Sequence, residues 1–235
     1  MKILLTSNGL VNASIVAALQ ELVGKPFAET NLAFIPTAIN PEETDKSWVI
    51  RDLVNIQKQG FKLLDIVDIS AMPMEWWLPR LEHADVLFFS GGHSPHLMHW
   101  LQKSGLAERL PELLKTRVYV GISAGSIVAC PSLALSNGNK RLSYEEKTGY
   151  NNMDALHLVD FHVRPHLNAG KRLHTRAEAI KEVAKSLSEV VYGLDDQSAL
   201  KVVDGNVEIV SEGETLVLNQ DENLRSRQCV IKPNL

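Results

Sequence analysis

The chain has few cysteines, few aromatic residues and no excess of positive charge. Of its 235 residues two are cysteine and 6% are aromatic, and 28 acidic against 24 basic side chains give a net charge of −4. Cys130 and Cys229, far apart in the sequence, make neither a disulfide framework nor a metal knuckle. The charge argues against a nucleic-acid or anionic-membrane surface, and no apolar run approaches the roughly 18 residues of a spanning helix. We expect a reduced, cytoplasmic protein that binds neither nucleic acid nor membrane.

What is present fits one globular domain. The charged fraction of 22% and the apolar fraction of 45% are ordinary for such a protein. A chain of this length buries roughly 70% of the surface that its unfolded form exposes, which is enough for one large core without disulfides. We predict a single domain over residues 1–235, with a polar tail from about residue 220.

Short β-type runs alternate with helical stretches through the first half of the chain. The pattern predicts strands at 2–7, 32–36, 61–66, 86–89 and 118–122, and helices at 13–23, 42–59, 74–83 and 96–115, the last broken near Pro111. Such alternation is typical of an α/β fold with a mostly parallel sheet between two layers of helices. Ligands of such sheets bind beyond the carboxyl ends of the strands.

The pattern changes after about residue 190. Strands are predicted at 189–194, 198–203 and 206–210, with one more at 215–218. Asp204-Gly205 between two of these runs is a strong signal for a two-residue hairpin. We expect antiparallel strands at the edge of the sheet.

The segment 118–129 combines a β-run, a Gly-x-Ser-x-Gly turn and the start of a small apolar helix. Gly121 and Gly125 permit the tight turn that would expose the hydroxyl of Ser123 at the end of a strand. The helix start behind it would direct backbone N–H groups towards an oxyanion. The pattern indicates a nucleophilic serine, although an ordinary turn between a strand and a helix has the same composition.

Two groups of histidines are candidates for chemistry. His93, His96 and His99 recur every three residues, but no acidic residue completes a metal set, so a packed or solvated helix face is the better interpretation. His166 follows the extended segment 161–165, which Pro165 stiffens by fixing its own φ. A histidine held in this way is suited to act as a general base for a serine.

An acid is needed to orient the base. Asp195 and Asp196 follow a predicted strand that we expect to border the same sheet edge. Paired acids in a turn are more often solvated turn formers. The residues alone do not decide whether these aspartates orient a base or only form a turn.

Several segments together resemble the peptidase E family of serine peptidases, which are aspartyl dipeptidases with cyanophycinases as relatives. The likeness runs in order over about residues 1–210 and rests on 1–8, Ser90-Gly91-Gly92-His93, the turn at 121–125, Arg164-Pro165-His166 and Gly193-Leu194-Asp195-Asp196. It implies a class I glutamine-amidotransferase-like fold in which serine replaces cysteine. It also implies that no metal and no cofactor takes part.

The resemblance also assigns roles to residues. It implies a nucleophile, a base, an acid and two oxyanion-hole amides, which fall on Ser123, His166, Asp196, Gly92 and Ala124. The family has glutamate at the acid position, so either Asp196 reaches the base or Asp195 does.

Three further positions are implied to bind substrate, and two of them depart from the family. Arg176 matches an arginine that recognises an N-terminal aspartate, although a surface charge is the alternative. His93 stands where the family has asparagine, and Arg164 precedes the Pro-His pair where asparagine is common. Strict aspartyl preference is therefore in question.

The sequence thus predicts a serine peptidase that cleaves short peptides, dipeptides with an acidic N-terminus above all, through an acyl-enzyme. Two alternatives remain open: hydrolysis of another amide or ester such as a β-aspartyl polymer, and a catalytically idle binding module of the same fold. The expected partner is a small peptide substrate, and the chain is expected to be a monomer or a homodimer.

Overall fold

The computed structural model describes residues 1–170 and 173–220 and the backbone of 230–231; Cys229 and most of the expected polar tail lie outside these residues. The strands are β1 Lys2–Thr6, β2 Asn31–Ile35, β3 Leu63–Ile66, β4 Val86–Phe89, β5 Val118–Ile122, β6 Phe161–Pro165, β7 Val190–Leu194, β8 Ser198–Val203, β9 Asn206–Ser211, β10 Thr215–Leu218 and β11 Val230–Ile231. The helices are α1 Ala13–Val23, α2 Ser47–Gln57, α3 Met74–His83, α4 Ser94–Lys103, α5 Leu106–Leu113, α6 Ala124–Ile127, α7 Gly138–Thr148 and α8 Ala177–Ala184.

The main sheet has the order β11-β9-β8-β1-β5-β4-β2-β3. Its central part, from β1 to β3, is parallel. On the other side of β1, β8 pairs antiparallel with β1, and β9 pairs antiparallel with β8. The expected parallel sheet with antiparallel edge strands is therefore confirmed.

Helices cover both faces of the central strands, and alternate side chains of each strand point to opposite faces. In β4, Leu87 and Phe89 belong to the core under α3, α4 and α5. Val86 and Phe88 belong to the second core, under α1 and α2. The strands therefore read as continuous apolar runs in the sequence.

A second, three-stranded sheet has the order β10-β7-β6. Strand β6 runs parallel to β7, and β10 runs antiparallel to it. Phe161, Val163 and Tyr192 of this sheet join the core that lies under α3 to α5. The expectation that β7 and β10 extend the main sheet is wrong, because β7 pairs with β6 and β10 pairs with β7 in this separate sheet.

The predicted helix over 96–115 is two helices, and the break lies at Gly105, not at Pro111. Gly105 has φ 79°, a left-handed conformation that glycine adopts without strain, and Pro111 lies inside α5. The predictions for α1 and α3 are confirmed to the residue. None of the helices described is both long and apolar enough to cross a membrane.

The carboxyl ends of five strands bring the predicted site together. Ser7 follows β1, the Gly91-Gly92 turn follows β4 and Ser123 follows β5. His166 follows β6 of the second sheet, and Asp196 lies two residues beyond β7. The candidate residues of both sheets thus meet where the two layers adjoin.

Candidate active site

Ser123 occupies a strained turn between β5 and α6. Its φ of 47° and ψ of −97° are unfavourable for any residue with a side chain. The backbone is held there because Ser123 N donates to Thr6 O at 2.9 Å, and Ser123 O accepts from Ser126 N and Ile127 N at 3.0 Å each. This geometry turns the hydroxyl out of the core, as in a nucleophile elbow.

The two glycines of the turn are required by close packing. A Cβ on Gly121 would lie 2.5 Å from the carbonyl carbon of Gly125, and a Cβ on Gly125 would lie 2.5 Å from Phe89 O. Both distances are far inside van der Waals contact, so no larger residue fits. The Gly-x-Ser-x-Gly spacing thus follows from the helix packing directly onto the strands.

Ser123, His166 and Asp196 form a continuous hydrogen-bonded chain. Ser123 Oγ lies 3.0 Å from His166 Nε2, and His166 Nδ1 lies 2.5 Å from Asp196 Oδ1. A carboxylate at Nδ1 favours the tautomer that carries its proton there, which leaves Nε2 free to accept the serine proton. The arrangement has the geometry of a nucleophile, a base and an orienting acid.

The neighbouring acid, Asp195, faces the other way. Its carboxylate accepts from Gln197 N at 2.9 Å, from Ser198 Oγ at 2.5 Å and from Glu214 N at 2.6 Å. These contacts close the turn between β7 and β8. Asp196 is therefore the acid that the structure brings to His166. Its side chain is one methylene shorter than that of glutamate but still reaches His166 Nδ1.

Ser7, which the sequence analysis did not single out, fixes the backbone of His166. Its fully buried hydroxyl donates to Leu194 O at 2.8 Å and accepts from His166 N at 3.2 Å. His166 itself has φ 63°, and the next amide, of Leu167, donates to Leu194 O at 2.8 Å. Ser7 thus joins the ends of β1, β6 and β7. Its place directly after a central parallel strand was a usable signal.

The Gly91-Gly92 turn lies against the nucleophile. A Cβ on Gly91 would lie 3.6 Å from Ser123 Cβ, and one on Gly92, which has φ 132°, would lie 2.3 Å from Ala38 O. Within the described residues, no protein acceptor bonds the backbone N–H of Gly92 or Ala124. Both amides are thus available to a ligand beside the serine.

A cavity of about 850 Å³ opens in front of this site. That size is typical of small-molecule sites. Apart from the hydrogen-bonded chain, its wall includes the charged side chains Glu42, Asp45, Arg51, Asp52, Lys140 and Arg164. The cavity therefore offers charges of both signs, as suits a zwitterionic ligand.

Of the three residues expected to bind substrate, only Arg164 lines the cavity. It is 5% exposed and donates to Leu135 O. Arg176 lies outside the cavity wall, and its guanidinium donates to Gly170 O at 2.6 Å and to Asn168 O at 3.4 Å. It therefore braces the loop that follows His166.

The His93 side chain also faces away from the cavity. Its Nδ1 accepts from His96 N at 3.2 Å and caps α4, and its ring centroid lies 5.0 Å from that of Tyr144. Burial, assisted by the nearby charge of Lys140, lowers the pKa of His93 to about 4. His93 is therefore a neutral, capping imidazole at the start of α4.

The histidine cluster on α4 has no metal-binding geometry. His96 Nδ1 and His99 Nδ1 lie 3.0 and 2.9 Å from the hydroxyl of Tyr144 on α7. No group of three or more potential metal ligands occurs in the part of the chain that the structure describes. The expected packed helix face is thus what these histidines form.

Helix α7 and helix α2 contribute cavity residues that the sequence analysis missed. Lys140 Nζ pairs with Glu42 and lies 3.5 Å from Gly92 O. Arg51 and Asp52 are adjacent in α2, and both line the cavity. Helix α7 was overlooked because it is mostly polar and buries only Tyr144.

The family comparison covers most of the chain. The profile of Peptidase family S51 matches residues 3–210. Relatives named peptidase E include those of Streptomyces coelicolor and Salmonella gallinarum. That of Streptomyces coelicolor is 29% identical over 235 residues, covering 96% of this chain and 86% of the relative. That of Salmonella gallinarum is 26% identical over 246 residues, covering 100% and 98%.

Solved structures agree with the fold. A Listeria monocytogenes protein assigned as a candidate peptidase E has a TM-score of 0.70 at 20% identity, covering 94% of this chain and 98% of that one. A peptidase from an acI-B1 Actinobacterium has a TM-score of 0.67 at 15% identity, covering 92% and 90%. At these identities the likeness shows the fold alone, and it confirms the predicted α/β architecture.

Proposed function

The chain belongs to peptidase family S51, and we propose that it is a serine peptidase that cleaves short peptides with an acidic N-terminal residue through an acyl-enzyme. The observation that carries this proposal is the hydrogen-bonded chain from Ser123 Oγ through His166 to Asp196. It opens into a cavity large enough for a dipeptide.

In acylation, Ser123 Oγ attacks the scissile carbonyl carbon as His166 Nε2 takes the hydroxyl proton. The tetrahedral intermediate collapses when the C–N bond breaks and His166 gives that proton to the leaving amine. Water then attacks the ester, with the same imidazole as base, and Ser123 is released. Asp196 stabilises the imidazolium that forms in each half-reaction.

The oxyanion of each tetrahedral intermediate is assigned to the amides of Gly92 and Ala124. Removing one such donor typically costs about 3–4 kcal/mol of transition-state stabilisation. The positive φ of Gly92, which a residue with a side chain rarely adopts, supports the assignment, since its amide has no protein acceptor among the described residues. A larger residue at this position cannot preserve the direction of that amide.

The acidic preference is assigned to cations of the cavity wall. Lys140 is engaged by Glu42, and Arg164 donates to Leu135 O. Arg51 lines the cavity and forms no hydrogen bond or ion pair with any residue that the structure describes. We therefore assign the substrate carboxylate to Arg51, with Arg164 as a second cation of the same cavity wall, in place of Arg176.

The test compares aspartyl-alanine with asparaginyl-alanine as substrates. A charge-assisted hydrogen bond to Arg51 predicts that kcat/KM is about 10–150-fold higher for the aspartyl peptide. Arg51→Met should remove most of that ratio, whereas Arg176→Met should keep it because Arg176 lies outside the cavity. Arg109→Met, at an exposed site on α5, controls for the loss of charge. Equal hydrolysis of both peptides by the wild type would refute the acidic preference.

A further inference from the structure

Asp52 is a buried carboxylate in the wall of the same cavity. It lies on the inner face of α2, is 4% exposed and lines the cavity together with Ser123 and His166. Its Oδ1 is enclosed and accepts no hydrogen bond. It also forms no ion pair with any other described residue.

A carboxylate with an enclosed oxygen that accepts no hydrogen bond is unfavourable in a folded protein, because burial removes water from its charge. That burial raises the pKa of Asp52 to about 7, against a smaller lowering effect of Arg51. Asparagine or leucine would fill the position without an ionisable group. Its presence in a ligand cavity indicates that a ligand supplies the missing partner.

The position of Asp52 is fixed relative to the nucleophile by helix α2. Trp48 precedes Asp52 by four residues, so the two side chains share one face of the helix. A Cβ on Gly91 would lie 3.5 Å from the Trp48 ring and 3.6 Å from Ser123 Cβ. Trp48 therefore packs against Gly91, which lies next to the nucleophile, and Asp52 lies one helical turn further along α2 in the wall of the same cavity.

We propose that Asp52 binds the free α-ammonium group of the peptide substrate. This inference rests on the proposed function, and it assigns a residue to the second charge of a zwitterionic substrate. Arg51 and Asp52, consecutive in α2, then hold the carboxylate and the ammonium of one N-terminal residue. The enzyme would require a free amino terminus, since an N-blocked peptide leaves the buried carboxylate without its partner.

The experiment measures binding to the Ser123→Ala enzyme by calorimetry, with aspartyl-alanine and succinyl-alanine as ligands. Succinyl-alanine lacks only the ammonium group and adds no bulk. We expect aspartyl-alanine to bind about 10–150-fold more tightly. Adding Asp52→Asn should bring the two affinities to within about threefold, and Asp52→Glu should restore part of the ratio.

The control is Glu108→Gln, which removes an exposed carboxylate of α5 outside the cavity and should leave the ratio unchanged. A ratio that survives Asp52→Asn, or equal binding of both ligands to the Ser123→Ala enzyme, overturns the inference. Turnover of aspartyl-alanine by the wild type is scored separately. Its absence refutes the proposed substrate, whereas an ammonium preference independent of Asp52 refutes only the inference.

Discussion

The burial of Asp52 predicts how the free energy of unfolding changes with pH, and this can be measured without a substrate. The pKa of Asp52 is raised from 3.8 to about 7 by burial, so the folded protein holds a proton that the unfolded chain has released between about pH 4 and 7. The free energy of unfolding must therefore fall as the pH rises through that window. At 1.36 kcal/mol per pH unit, the full penalty is at most about 4 kcal/mol, of which about 2–3 kcal/mol arises between pH 5 and pH 8.

Asp52→Asn removes this penalty. Urea unfolding at pH 5 and pH 8 should show that the variant gains about 2–3 kcal/mol relative to wild type at the higher pH. Glu108→Gln makes an equal change of charge at an exposed site. Its free energy of unfolding should change with pH in parallel with that of the wild type. Parallel curves for wild type and Asp52→Asn would show that Asp52 is ionised at little cost and would remove the physical basis of its assignment as an ammonium site.

Three other changes test the positioning of the site. Ser7→Ala removes the hydrogen bond that Ser7 Oγ donates to Leu194 O and the one that it accepts from His166 N. The variant should lower kcat by about 10–100-fold with little change in KM. An unchanged kcat contradicts the role given to Ser7. Gly92→Ala places a Cβ 2.3 Å from Ala38 O and should lower kcat by at least about 100-fold. Gly138→Ala, where a Cβ meets nothing within 4 Å, is its control, and equal effects of the two would refute the oxyanion assignment. Burial lowers the pKa of His96 from 6.5 to about 4, so stability should fall as the pH drops from 6.5 to 4. His96→Gln should flatten that fall by about 1–2 kcal/mol after allowance for solvent screening, in urea unfolding at pH 7 and 4.5; an unchanged slope contradicts it.

The sequence predicted those features that depend on local pattern. The strands β4 and β5 were placed to the residue because continuous apolar runs end at glycine turns. The turn around Ser123 was recognisable because a β-run precedes the Gly-x-Ser-x-Gly spacing and an apolar helix start follows it. His166 was recognisable because Pro165 before it fixes the approach of the chain.

Features that depend on distant contacts were not predictable. Nothing local to 190–194 or 215–218 indicates that these two strands pair with each other, or that the first of them pairs with β6. Likewise, Asp195 and Asp196 are equivalent in sequence, and the choice follows from contacts with Glu214 on one side and His166 on the other.

Similarity to a family transfers positions but not the direction of side chains. The resemblance assigns Arg176 to substrate binding, yet its guanidinium donates to backbone carbonyls of the loop after His166. Arg51 and Asp52 had no motif around them. Their place in the cavity wall follows only from the packing of α2 in the folded chain.

The most direct test of the central claim is whether a covalent intermediate forms on Ser123. Rapid-quench mass spectrometry of the wild type with an aspartyl ester should find an aspartyl group on the peptide that contains Ser123. The adduct should be absent in Ser123→Ala and strongly reduced in His166→Ala. Hydrolysis of the ester without any adduct on Ser123, or turnover retained within tenfold by Ser123→Ala, would contradict the account, because nucleophile removal is expected to cost about 10⁴–10⁶-fold in kcat.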